Sequence, residues 1–265
     1  WVTHSDEDYV WRFSAPNKAL MTVTTDQVDS IVQLPTQCRA GYVVKVANTE
    51  SEDDDYYAEF ETEEAGVDGP GAWVETVKPG IPRYINPASM PHQISRQADG
   101  NFVVSPGSWE PRLVGDYKTN PRPGFMTRVN DPPKYINNMA LFRNRLCILS
   151  GDTVTCSRTG DYFNFWSASA LTSADNDPVD IAAGSSSSSA NADLIDCIEI
   201  GQGLVCFSGG EQFVLSSGSD AFTPSNARFT RVVTYRYSGY KQVSDQLTGV
   251  PVFSLGTSVG FLADS

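Results

Sequence analysis

Leu146-Cys147-Ile148-Leu149-Ser150-Gly151-Asp152-Thr153-Val154-Thr155-Cys156 is the stretch from which the fold is read. Two β-rich runs flank Gly151-Asp152, a dipeptide suited to a two-residue turn, so the stretch reads as a hairpin in which Cys147 faces Cys156. Fifty residues on, Cys197-Ile198-Glu199-Ile200-Gly201-Gln202-Gly203-Leu204-Val205-Cys206 has the same shape, with Cys197 facing Cys206. At the same offset, Gly160-Asp161-Tyr162-Phe163-Asn164-Phe165 aligns with Gly210-Glu211-Gln212-Phe213-Val214-Leu215. Val252-Phe253-Ser254-Leu255-Gly256 and Val259-Gly260-Phe261-Leu262 read as a third hairpin. A period of about 50 residues with a hairpin in each unit is the spacing of β-propeller blades, and three units are too few to close one. A β-sandwich is the fallback fold. The facing cysteines read as buried small hydrophobes, as cross-strand disulfides or as metal ligands.

Outward from these hairpins the chain stays β-like, and helix-period patterns are scarce. Gly41-Tyr42-Val43-Val44-Lys45-Val46, Tyr56-Tyr57-Ala58-Glu59-Phe60-Glu61 and Ala72-Trp73-Val74-Glu75-Thr76-Val77 read as a small antiparallel meander. Glu52-Asp53-Asp54-Asp55 falls at its first turn, as a solvated tip or a calcium cluster. Ten of the sixteen prolines lie in residues 78–134. Proline cannot donate to a central ladder, so this stretch reads as a connector with one hairpin, 94–104, turning at Asp99-Gly100. The expected fold is therefore all-β: a partial β-propeller of blade-like repeats with an inserted small antiparallel β-domain. The expected division is 1–85 as the acidic inserted domain, 86–134 as connector and 135–265 as incomplete propeller blades.

Composition removes several classes. With 265 residues, 40% hydrophobic and 19% charged, the chain is long enough for a core and is neither disordered nor coiled coil. No apolar run approaches the roughly 20 residues of a membrane-spanning helix. The sequence opens at Trp1, without Met or a signal-peptide pattern, and stops in mid-pattern, so it reads as an excerpt of a longer protein. The net charge of −13 is unevenly placed: residues 1–70 hold 15 acidic against 4 basic residues, and residues 71–265 hold 17 against 15. A phosphate clamp needs a positive surface, so the charge argues against sequence-specific nucleic-acid binding, whereas an acidic wall suits DNA that must slide past. Five cysteines without C-x-x-C, and only His4 and His92 beside them, argue against structural zinc and against a secreted disulfide scaffold. No cofactor and no metal are expected.

The remaining motifs are weak as chemistry. Gly256-Thr257-Ser258-Val259-Gly260 fits the G-x-S-x-G nucleophile elbow. It sits between strand-like runs with both histidines far upstream, so it reads as a hairpin turn. Asp175-Asn176-Asp177-Pro178-Val179-Asp180 gathers oxygen ligands but lacks the Gly and distal Glu of a calcium loop, and reads as Asx-turns before a strand at Val179–Ala182. Residues 185–189, a serine run, read as a flexible loop. Glu110 and Asp116, with Trp109 to stack on a sugar, form the carboxylate pair of an alternative reading: a polysaccharide-binding or glycoside-hydrolysing protein. Residues 81–165 carry ten basic against six acidic residues. Arg112, Arg122, Arg143, Arg145 and Arg158 of that set, with Asp53, Asp54 and Asp55 of the acidic segment, are the candidate subunit-interface residues. The competing reading leaves Arg143 and Arg145 facing solvent, in alternation with the core residues Leu141 and Leu146.

Several phrases in order resemble a known family. They are Met90-Pro91-His92, Arg96, Asp99-Gly100, Trp109-Glu110-Pro111-Arg112, Gly115-Asp116 and Thr119-Asn120-Pro121-Arg122-Pro123. Leu141-Phe142-Arg143-Asn144-Arg145-Leu146 is the most specific, followed by Ser157-Arg158-Thr159-Gly160-Asp161-Tyr162-Phe163-Asn164-Phe165, Asp177-Pro178-Val179-Asp180 and Gln212-Phe213-Val214-Leu215. Together they are similar to the tail tubular, or tail nozzle, proteins of short-tailed bacteriophages, more loosely over 1–85 and with a departure at 184–190. The resemblance implies a non-enzymatic virion protein built around a β-propeller and assembled in the host cytoplasm. It implies a homo-oligomeric ring, a hexamer, below the tail adaptor ring and in contact with tail fibres. Double-stranded DNA passes through that tube during genome ejection without specific binding. A cellular β-propeller scaffold is the third reading, which the phage-like phrases disfavour.

Overall fold

The structure, a computed structural model, describes residues 26–47, 54–127, 132–183, 193–201, 203–218 and 220–233. It also describes the backbone pairing of four further strands. Among the described residues there is no α-helix; the only helical turns are 3-10 turns at Ile31–Gln33 and Pro87–Ser89. The chain divides into two compact units. One comprises Trp1–Pro82, Leu113–Asn120 and Ser169–Leu171, and the other comprises the rest.

In the first unit β1 (Val2–Ser5) pairs with β2 (Val10–Phe13). A five-stranded sheet follows, made of β3 (Gln27–Val28), β4 (Gln37–Cys38), β5 (Val43–Val46), β6 (Tyr56–Thr62) and β7 (Gly69–Thr76) in the order β3-β5-β6-β7-β4. The three expected strands are thus β5, β6 and β7. Alternation on β5 puts Val44 and Val46 inside, where they meet Leu34, Tyr56 and Ala58. Trp73 packs edge-on against Phe60 at 5.0 Å and Tyr42 at 6.4 Å, and its indole N–H donates to the Pro35 carbonyl at 2.8 Å. The returning segments are tied in by polar groups. Glu75 accepts from the Ser169 hydroxyl and the Ala170 amide, both at 2.8 Å, and Val77 bridges Gly115. Gly115 has φ +78°, and a Cβ there would come within 2.9 Å of both Asn120 Cβ and Thr119 Oγ1, so this turn needs glycine.

The acidic turn corrects one expectation. Asp54 is exposed, but Asp55 is buried and its carboxylate pairs with the Lys45 ammonium at 2.5 Å. Asp55 is therefore part of the sheet's own packing and not of a solvated tip. Asp53 lies outside the described residues.

In the second unit β8 (His92–Arg96) and β9 (Phe102–Pro106) form the expected hairpin, with Ile94 opposite Val104 and Gly100 at φ +88° in the turn. Two four-stranded antiparallel meanders follow. The first is β10 (Asn138–Phe142), β11 (Arg145–Ser150), β12 (Thr153–Cys156) and β13 (Val179–Ala182). The second is β14 (Leu194–Ile200), β15 (Gly203–Ser208), β16 (Gln212–Ser216) and β17 (Arg228–Val233). β18 (Val252–Leu255) pairs with β19 (Ser258–Phe261), which puts Ser258 in a strand opposite Leu255 and not on a strand-to-helix elbow.

The cysteines face each other as the hairpins require: Cys147 pairs with Cys156 and Cys197 with Cys206. The fifty-residue repeat is nevertheless displaced by one strand. It lays β11–β12, the second and third strands of one meander, on β14–β15, the first and second of the next. Gly160–Phe165 carries no strand, whereas its partner in the alignment contains β16. Tight hairpins resemble one another in sequence wherever they sit in a sheet, so the offset recorded a shared turn and not a shared blade position.

The surroundings of β11 explain why it is apolar without a break from Leu146 to Leu149. Cys147 and Leu149 face a core shared by the two meanders, with Phe142, Val154, Cys156, Leu194, Leu204, Phe213 and Phe222. Ile148 faces the other way, into a second core with Ile85, Met90, Trp109, Phe125, Phe165 and Trp166. A strand covered on both faces has no polar side to show. The proline-rich stretch supplies that second cover: Met90, Trp109 and Phe125 come from it, each worth about 1.5–3 kcal/mol of burial. Met90, Trp109 and Phe125 thus do more than connect: they cover this face of β11.

Candidate functional site

The phrase Leu141-Phe142-Arg143-Asn144-Arg145-Leu146 builds the most elaborate polar site among the described residues. Arg143 and Asn144 have φ of +49° and +59°, and Phe142 pairs directly with Arg145. Two left-handed residues in a two-residue loop make a type I′ turn, whose twist matches that of the flanking strands. Asn suits that conformation; Arg143 bears its strain at the exposed tip. Asn144 is held from outside by the Tyr162 hydroxyl, which donates to its Oδ1 at 2.7 Å, and by the Gly160 amide, which donates to its carbonyl at 2.8 Å.

The turn fixes the register that sends Arg145 inward. Its side chain has no exposed surface. Nη1 donates to the carbonyls of Ser157 at 2.8 Å and Asp177 at 2.5 Å. Nη2 donates to the carbonyls of Asp175 at 2.8 Å and Phe222 at 3.4 Å. The guanidinium also sits 5.7 Å from the Phe222 ring centre, and Phe222 packs edge-on to Phe142. One buried cation therefore joins the end of β12, the 157–178 segment and the loop between β16 and β17. Burial lowers the Arg145 pKa; the sulfurs of Cys156 and Cys147 and the Asp177 carboxylate oppose that. Hydrogen bonds to a charged group are worth about 1.5–3 kcal/mol each, which offsets the desolvation of the ion.

Asp177 completes the joint. It is buried, accepts from the amides of Ala168 at 3.1 Å and Ala174 at 2.8 Å, and lies 3.8 Å from Arg158 Nε. The carbonyls of 175 and 177 that a calcium ion would need are turned onto a guanidinium, so the Asp175–Asp180 stretch is an arginine cradle. Among the described residues no group of three or more His, Cys, Asp or Glu is arranged to hold a metal.

The other expected site residues separate. Arg112 is fully buried, with its guanidinium 4.4 Å from the Trp166 ring and its amide donating to the Arg83 carbonyl at 2.7 Å. Arg112 and Arg145 are thus interior groups, which corrects their reading as surface cations. The solvent-facing alternative fails for Arg145 as well, and it is Leu141 that is exposed. Arg143 is exposed; Arg122 and Arg158 are half-buried. Ser157, Asp175 and Phe222 are not legible in the sequence as partners of Arg145, since each acts through a main-chain carbonyl that any residue carries.

The sugar-cleaving reading loses its stacking ring and one of its candidate acids. Trp109 is buried against Phe163 at 5.1 Å and cannot stack on a sugar. Glu110 belongs to the second unit, where its amide and carbonyl anchor Phe163 and Trp166. Asp116 belongs to the first unit. Its burial would raise its pKa, but hydrogen bonds from the amides of Lys118 and Thr119 and the Thr119 hydroxyl, together with Lys78, carry it below the ordinary value. A general acid needs the opposite shift.

Strands buried on both faces, with Arg112 and Arg145 spent on holding segments together, are features that a structural protein needs. The comparisons agree. The family model described as bacteriophage nozzle protein matches residues 9–264. The tail tubular protein gp12 of Escherichia phage T7 is 34% identical over 199 residues, covering 75% of this chain and 23% of that protein. This chain belongs to the bacteriophage nozzle protein family, whose members are structural proteins of the phage tail, and it spans about a quarter of the length of the relative it matches.

Arg145→Leu is expected to lower stability by about 3–5 kcal/mol, because it strands several buried carbonyls at once. Arg145→Lys should recover little of this, since an ammonium cannot fork to carbonyls on three segments; Arg143→Lys should be close to neutral. Urea midpoints at constant m-value would check all three. Asp116→Asn is expected to destabilise the protein at pH 7. The pKa of Asp116 is depressed in the folded state, so its contribution is full above the unfolded value of about 3.9 and is lost as pH falls through the folded value. The two proteins should therefore converge in stability in strong acid, as chemical denaturation across pH would show.

Proposed function

We propose that this chain is a stretch of the wall of a phage tail tube, in which copies close into a ring of six below the tail adaptor ring, touch the tail fibres, and conduct the genome toward the host. The observation that carries this reading is the similarity to a tail tubular protein over three quarters of the chain. The two consecutive meanders are read as blades of a β-propeller completed by further chain, and the acidic first unit as its inserted domain.

The physics of the chain supports the role. A conduit must not hold the passing duplex, and each Lys or Arg contact with phosphate adds affinity, so a net charge of −13 favours passage. A wall under load needs sheets that do not slip past one another. Arg145 and the shared core of the meanders resist that slippage. Among the described residues no helix is long and apolar enough to cross a membrane.

Closed rings use heterologous interfaces, for which complementary charge sets orientation. With Arg112, Arg145 and Asp55 committed inside the fold, the charged contact between copies is assigned to Arg122, Arg143 and Arg158 on one side and to Asp53 and Asp54 on the other. The apolar hairpin face of Ile94, Phe102 and Val104, each more than 60% exposed, supplies a hydrophobic contact of the kind assembled proteins bury.

Gold labelling and peptide mass spectrometry of intact particles should find this chain at the distal tail in several copies; its absence from intact particles would overturn the reading. Arg122→Glu with Arg143→Glu should weaken ring formation in the full-length protein, seen by mass photometry. Asp53→Arg with Asp54→Arg should restore it. Unchanged assembly in the first variant would refute the charge assignment while leaving the tail role standing.

A further inference from the structure

Four of the five cysteines, Cys147, Cys156, Cys197 and Cys206, line the core shared by the two meanders. Two of them stand apart in geometry. Cys147 and Cys156 are both completely buried and directly opposed on β11 and β12. The Ser157 amide donates to the Leu146 carbonyl at 2.8 Å, which makes the adjacent rung hydrogen-bonded and leaves Cys147 opposite Cys156 in a non-hydrogen-bonded pair. Side chains approach most closely at such pairs, and the backbone spacing there lies within the range that disulfides span. The two sulfurs are 2.8 Å apart. Reaching the bonded distance of about 2.05 Å needs a closure of less than about 1 Å, which a small χ1 adjustment supplies. Cys206, by contrast, has its sulfur 3.8 Å from the Leu204 carbonyl.

We propose that Cys147 and Cys156 are an oxidation site, where a peroxide converts the thiol pair into a cross-strand disulfide that locks β11 to β12. The first sulfur attacks the peroxide, whose O–O bond breaks, giving a sulfenic acid and one water. The second sulfur then displaces the hydroxyl of the sulfenic acid, forming the S–S bond and releasing a second water. Two electrons leave the sulfur pair and two reduce the peroxide, and the two thiol protons leave in the waters.

The setting rests on the tail reading. A particle component is made in a reducing cell interior and then leaves it, so the same pair meets both conditions. The chemistry is slow in the closed sheet. The hydrogen bond that the Cys147 thiol donates to the Cys156 sulfur, together with burial, raises the Cys147 pKa well above the usual thiol value, although Arg145 opposes them. Reaction therefore waits on local opening of the hairpin, and the bond then prevents that opening. Burial pushes the Cys197 thiol up to about 12 and also raises that of Cys206, so the first pair is set apart by the close approach of its sulfurs and not by acidity.

The test uses the full-length protein, purified with reductant, freed of it and treated with hydrogen peroxide. It is then unfolded, alkylated and mapped by peptide mass spectrometry. The expected result is a linked peptide pair joining Cys147 to Cys156, loss of alkylation at both, and retained alkylation at Cys197 and Cys206. Cys147→Ser should abolish the linked pair; should that variant not fold, the map of the unaltered protein still decides. Full alkylation of Cys147 and Cys156 after treatment, or a link from either of them to Cys197 or Cys206, would overturn the proposal. A second arm compares particles released into aerated medium with protein trapped inside cells by an alkylating agent, and the link is expected only in the particles. The purified-protein arm is independent of tail location, so its failure is distinct from absence of the chain from particles.

Discussion

The second unit depends on one buried cation. The Arg145 guanidinium is out of water and bonds to carbonyls as far as 77 residues from it along the chain. Without it those carbonyls lose the guanidinium as their donor. This inverts the usual balance, in which backbone groups satisfy one another and side chains fill space. Here the 157–178 segment is irregular, so its carbonyls converge on a side chain that offers several donors in a fixed plane. The packing of Phe222 on Phe142, the stacking of the two meanders and the burial of Asp177 all presuppose that this convergence holds.

The same logic accounts for the prolines. A chain rich in proline cannot add strands to the meander, so it covers it instead. Trp109, Phe125 and Met90 fill the face of β11 opposite the shared core, while the exposed Glu110 contributes its main chain. Arg112 follows the pattern in another form, with its charge laid on Trp166 and its methylenes in the interior. In both arginines charge serves architecture, which suits a protein whose work is to hold shape while something else moves through it.

The sheet that carries these features also carries its thiols. Cys147 shares a face of β11 with Arg145, so the site that stiffens the joint between meanders and the site open to oxidation lie two residues apart on one strand. Stability there has a polar source present from folding onward and a covalent source that depends on surroundings.

Read alone, the sequence determined the all-β class, the hairpins and their registers, the facing of the cysteines and the family. Each is a local or periodic property: turn dipeptides, alternation and ordered phrases survive without knowledge of neighbours. It did not determine how the two meanders align, because a tight turn has one signature at any place in a sheet. Nor did it determine which arginines face solvent. Arg143 and Arg145 flank the same asparagine in the same phrase, and only the I′ turn, with its two left-handed residues, sends one out and the other in. What receives the inward one is a set of main-chain carbonyls with no identity in the sequence, brought together by packing between distant segments. Tertiary structure alone decided that, since a carbonyl becomes a ligand by position.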